Sequence, residues 1–148
     1  MVKIIVGLMG STASALSSEL STPEQLKGLL SVLKQHNIHE LDTARLYQGG
    51  KSEELLGQVG TEALASGPFT IATKAPAFMP GTLTYDKIVN NCNASLEALK
   101  APSVDLYYLH GPDRETPLEE SCRAIQDLFK QGKFTRVCTY ARLNVLRS

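Results

Sequence analysis

Short apolar runs rich in Ile, Val, Leu and Phe begin near residues 3, 38, 69, 103 and 134, and this regular spacing limits the chain to very few folds. Between them the apolar residues recur at helical spacing, as in Leu26, Leu29, Leu30 and Leu33, then Ile88, Cys92, Leu96 and Leu99. Short unbroken apolar runs read as buried strands, and three-to-four spacing reads as amphipathic helix. Strand alternating with helix at this period implies a parallel sheet with helices packed outside it. A doubly wound open sheet and an eightfold barrel both satisfy that pattern, and spacing alone does not separate them. A whole barrel takes about 250 residues. The 148 residues here supply four strand–helix units and the start of a fifth strand at Phe134–Cys138.

Local signals punctuate the units. Thr22-Pro23-Glu24-Gln25 combines a capping hydroxyl, a proline in the first turn and a reciprocal Gln. Ser52 is expected to cap a second helix carrying Leu55, Leu56 and Val59, and Thr84 to open a third. Thr116-Pro117-Leu118-Glu119 reads as a second capping box for a helix running to Phe129, with Gly132 ending it. Residues 11–21 are small and polar, and read as a loop.

Lys plus Arg equals Asp plus Glu at 15 each. That balance leaves no electrostatic footprint for nucleic acid or an anionic membrane. Nothing approaches the roughly 18 apolar residues of a membrane span. The run from Met1 to Gly7 is too short for a signal peptide core. Cys92, Cys122 and Cys138 form no metal spacing and fit a reducing compartment. The expectation is a cytoplasmic α/β protein, with residues 1–148 in a single domain.

Polar residues stand at the ends of successive apolar runs: Asp42 after the second, Lys74 after the third and His110 after the fourth, with Tyr47 close behind Asp42. In parallel α/β folds active sites assemble at the carboxyl ends of strands. These four types make a coherent proton-donating device. A phenol ionises near pH 10, a neighbouring ammonium favours its phenolate, and a carboxylate keeps that ammonium charged. A neutral imidazole can hold a carbonyl oxygen while a hydride arrives from a cofactor. Taken singly each residue has a plain reading: a turn-starting Asp, a packing Tyr, a snorkelling Lys, a loop-edge His. Their shared edge is what argues for chemistry.

Other nucleotide and hydrolase motifs fall short. Gly49-Gly50-Lys51-Ser52 lacks the leading glycine of a phosphate loop, and there is no Gly-x-Gly-x-x-Gly. No nucleophile elbow is present.

Asp42-Thr43-Ala44, Tyr47, and Gly50-Lys51-Ser52-Glu53-Glu54-Leu55-Leu56-Gly57 resemble the aldo-keto reductase pattern around its second strand. Ile71-Ala72-Thr73-Lys74 resembles the strand bearing the family lysine, and Asp105 to Asp113 the strand bearing the family histidine. Leu109-His110-Gly111-Pro112-Asp113 followed by Thr116-Pro117-Leu118-Glu119-Glu120 is most like the aflatoxin-aldehyde reductase branch. The resemblance spans roughly residues 1–137. It implies a partial (β/α)8 barrel that reduces aldehydes or ketones with NADPH and no metal. Tyr47 would be the general acid and Lys74 would lower its pKa. Asp42 would pair with Lys74 near the nicotinamide, and His110 would orient the substrate carbonyl. Gly7-Leu8-Met9-Gly10 would approach the cofactor through its backbone.

Members of that family continue for four more strand–helix units. After Gly132-Lys133-Phe134 they show a strand ending in a Gly-x-Ser-Asn-like sequence, where this chain reads Thr135-Arg136-Val137-Cys138-Thr139-Tyr140. The chain is therefore expected to be the N-terminal half of the domain, with weakened cofactor binding and low activity alone. Its first and last strands would be open edges, closed by a homodimer or by a partner. The alternatives are a non-catalytic relative of the potassium-channel β-subunit type and a non-functional truncated product.

Overall fold

Thr22 starts the first helix as its sequence dictates. Its hydroxyl accepts from the Gln25 N–H at 3.3 Å, and the Gln25 side chain accepts from the Thr22 N–H at 3.1 Å. The computed structural model describes residues 3–9, 21–63, 68–76 and 78–139. The loop expected over 11–21 falls almost wholly outside them, as does Gly10. Within them run β1 (Ile5–Gly7), α1 (Pro23–Gln35), β2 (Glu40–Asp42), a 3₁₀ turn (Tyr47–Gly50) and α2 (Lys51–Ala63). Next come β3 (Thr70–Lys74), α3 (Tyr85–Leu99), β4 (Val104–Leu109), α4 (Leu118–Lys130) and β5 (Phe134–Thr139).

Two expected caps do not form. The Tyr47–Gly50 turn runs directly into α2, so Ser52 lies inside the helix, its hydroxyl buried without a hydrogen-bond partner. Thr116 gives its hydroxyl to Asp113 Oδ2 at 2.6 Å, which leaves Pro117 at the cap of α4 with no side-chain bond. A cap contributes about 1 kcal/mol. Each fully buried Leu or Ile contributes roughly 1.5–3 kcal/mol, so packing places these helices. Leu26, Leu30 and Leu33 of α1, Leu56 and Val59 of α2, and Ile88, Cys92, Leu96 and Leu99 of α3 all enter one core with Leu41 and Tyr107. Gly132 ends α4 at φ 70°, in the left-handed conformation that favours glycine.

All five strands pair in parallel, in the order β1-β2-β3-β4-β5. A doubly wound sheet reverses its order at a switch point. A barrel adds each strand beside the one before it. The order is thus that of a barrel segment, and it decides between the two architectures. Side chains alternate across the sheet. Leu41, Ile71, Thr73 and Tyr107 are buried on the helix side. Glu40, Asp42, Ala72, Lys74, Leu106 and Tyr108 line cavities on the other face. At the two edges Ile4, Ile5 and Val137 are exposed.

Candidate active site

The sheet brings the chemistry to one end. Asp42 and Lys74 are the last residues of β2 and β3, and His110 follows β4 by one residue. Tyr47 opens the 3₁₀ turn after β2. The four residues singled out in the sequence therefore meet at the carboxyl ends of neighbouring strands.

Lys74 is the hub, and it is buried rather than snorkelling. Its ammonium donates to Asp42 Oδ1 at 2.5 Å and to the Thr43 carbonyl at 2.8 Å. The same nitrogen lies 5.1 Å from the centre of the Tyr47 ring and 5.3 Å from that of Tyr108, within cation–π range. Burial pushes the ammonium below its ordinary pKa, and the hydrogen bond and charge of Asp42 oppose that shift.

Tyr47 and His110 meet edge to face, their ring centres 5.9 Å apart. Phe78 also meets His110 edge to face, with ring centres 5.0 Å apart. Burial lowers the imidazole pKa, the Lys74 charge lowers it further, and Asp42 partly offsets both. The ring is thus held neutral near pH 7. The Tyr47 phenol moves opposite to expectation. Burial, and after it the charge of Asp42, raise it above 10.0. The physical reason is placement: the Lys74 ammonium is held by Asp42 and Thr43 and faces the Tyr47 ring.

The loops around this centre are fixed by local bonds. Gln48, Gly49 and Gly50 all have positive φ, at 52°, 64° and 97°. Gln48 Nε2 reaches the Met9 carbonyl at 3.4 Å, tying the β1 and β2 loops. Asp113 accepts from the N–H groups of Gly81, Leu83 and Glu115 and from the Thr116 hydroxyl. It ties the loop bearing Phe78 to the loop after His110, and those bonds hold its carboxyl well below the usual range. A cavity of about 370 Å³ lies among Ile5, Gly7, Asp42, Lys74, Tyr108, Leu109 and His110.

Residues 3–138 match the Aldo/keto reductase family. The chain belongs to that family. It is 46% identical over 113 residues to the oxidoreductase sirO of Leptosphaeria maculans, covering 76% of this chain and 33% of that protein. It is 46% identical over 100 residues to aflatoxin B1 aldehyde reductase member 2 of Mus musculus, covering 66% and 27%. Among solved structures it is similar to the thermostable aldo-keto reductase Tm1743, with TM-score 0.72, 26% identity and coverage of 91% and 47%. It shares its fold with aldo-keto reductase AKR11C1 from Bacillus halodurans, with TM-score 0.74 and 22% identity. The chain spans about a third or less of these curated relatives and just under half of these solved structures.

In this aldo/keto reductase chain two site residues went unread in the sequence. Tyr108 stands two residues before His110, and the strand period of two could have placed it on the Lys74 face. Arg45 binds the turn that carries Tyr47, and no sequence pattern announces that contact.

Proposed function

We propose that residues 1–148 are the N-terminal half of an aldo/keto reductase domain whose site reduces aldehydes or ketones to alcohols with NADPH. The observation that carries this reading is the Lys74 ammonium, bonded to Asp42 and facing Tyr47, whose ring touches His110. The cavity beside them is of a size that holds a nicotinamide ring with a small carbonyl compound. Gly7 lines it with no atom within 4 Å of where a Cβ would stand, so a flat ring can approach the backbone there. Asp42 and Gly7 would hold the nicotinamide end. When bound, NADPH supplies the hydride.

The protein's own part is acid catalysis and orientation. His110, neutral, donates a hydrogen bond to the carbonyl oxygen and fixes its direction. As the carbonyl carbon gains a hydride, its oxygen becomes an alkoxide and takes the Tyr47 proton. An alkoxide is far more basic than a phenolate, so a phenol with a raised pKa still gives up its proton. The phenolate left behind regains a proton from solvent, and Asp42 keeps the Lys74 ammonium against the Tyr47 ring. No step asks for a metal. Titration of the chain with NADPH, followed by cofactor fluorescence, with an aldehyde-reduction assay beside it, tests the reading. Saturable binding, weakened as half a domain implies, with turnover that is lost in Tyr47→Phe, supports it, and a folded chain that neither binds nor turns over makes the four residues a remnant in this chain.

A further inference from the structure

The double glycine of Gly49-Gly50-Lys51-Ser52 has no part in that reaction, yet it bounds the turn that carries Tyr47. Three successive left-handed residues, Gln48 to Gly50, are costly where one is not glycine. Such a turn persists only where its surroundings hold it closed. Arg45 does so from three sides. Its Nη1 donates to the Gly50 carbonyl at 3.1 Å. Its Nη2 donates to Glu54 Oε1 at 3.0 Å. Its Nη1 also lies 3.7 Å from Glu53 Oε2, a fully buried oxygen with no hydrogen bond, while Glu53 Oε1 accepts from Thr73 at 2.5 Å. Thr73 immediately precedes Lys74. Gly50 makes room for the clamp, since a Cβ there would meet the Arg45 guanidinium at 2.6 Å.

We propose that Arg45 is a positioning residue for Tyr47. Its guanidinium pins the Tyr47–Gly50 turn to the first turn of α2 and so sets the phenol between Lys74 and His110. A lysine cannot replace it, because one ammonium lacks the planar fork that reaches a carbonyl and two carboxylates together. The consequence for catalysis rests on the proton-donor reading of Tyr47. The placement itself does not.

The test is NMR of the chain labelled with ¹³C at tyrosine Cζ, with Tyr47 assigned by Tyr47→Phe and the fully buried Tyr107 as the internal reference. In Arg45→Ala the Tyr47 titration midpoint should fall toward about 10, and the cross-peaks from its ring protons to His110 should weaken several-fold while Tyr107 is unchanged. Arg45→Lys and Gly50→Ala should move Tyr47 the same way, and they carry the test if Arg45→Ala loses the Tyr107 signal. Unchanged Tyr47 signals in Arg45→Lys and Gly50→Ala would overturn the proposal. In aldehyde turnover Arg45→Ala should lower kcat about 100-fold at constant KM, the scale of a misplaced catalytic group. Turnover retained in Tyr47→Phe would remove the proton-donor reading and leave the positioning claim to the NMR result.

Discussion

The Lys74 ammonium sits 2.5 Å from Asp42 Oδ1, although 32 residues separate them in the chain. Parallel pairing of β2 and β3 makes them neighbours, and the pair is mostly shielded from water. Asp42→Asn would leave the ammonium buried without its counter-charge. Loss of such a charged hydrogen bond should cost about 1.5–3 kcal/mol, read by urea denaturation. The sign of its pH dependence follows from the lowered Lys74 pKa. Burying the charge destabilises fully below the folded pKa, and the penalty lifts as pH rises toward 10.5. In Asp42→Asn that lift should begin at lower pH. Equal pH profiles for the two proteins would refute it.

Tyr47→Phe removes the proton but keeps the ring that packs on His110. Turnover should fall about 10²- to 10⁴-fold, the usual worth of a positioned acid. NADPH binding and the melting temperature should change little. Because burial and Asp42 raise the phenol pKa, the alkaline limb of the activity profile should lie above pH 10.0.

His110 carries a lowered pKa in the folded chain, so the unfolded chain binds its proton more readily. Stability from this group is fully present above its ordinary value of 6.5 and is lost as pH falls through the window below. Denaturant melts between about pH 7 and 5 should show that loss, and His110→Gln should flatten it. An unaltered slope in the variant would assign the pH dependence to other groups.

Gly57 lies where α2 crosses α3, and a Cβ there would come 2.0 Å from the Ala98 carbonyl oxygen. Ala is favoured over Gly in a helix by about 1 kcal/mol. Overpacking against backbone costs about 1–3 kcal/mol, occasionally more. The clash should win, so Gly57→Ala should lower the melting temperature although it improves helix propensity. Calorimetry on the variant decides the sign.

Much of the site was legible because strands carry a simple code. Asp42, Lys74 and His110 each end an apolar run, and parallel strands deliver their ends to one edge. What the sequence left open was lateral. The doubly wound and barrel readings share one pattern along the chain and differ only in which strand lies beside which. The direction of the Tyr47 pKa shift is likewise set by packing. That pKa is raised by burial and then by the charge of Asp42, while the Lys74 ammonium is turned to Asp42 Oδ1 and the Thr43 carbonyl. Ser52 and Thr116 look like caps by spacing, yet a turn running into α2 and a competing Asp113 carboxylate took their roles.

The sequence by itself determined the alternation of strand and helix, the apolar face of each helix, the Thr22–Gln25 cap and the edge on which the candidate catalytic side chains gather. The first three depend on residues a few positions apart, where backbone geometry sets the neighbours, and the last on each strand carrying its polar residue at the same end. The tertiary structure decided the strand order, the burial of Lys74, the upward direction of the Tyr47 pKa and the Arg45 clamp. Each of these depends on desolvation and on contacts between elements, quantities that exist only once the chain has packed.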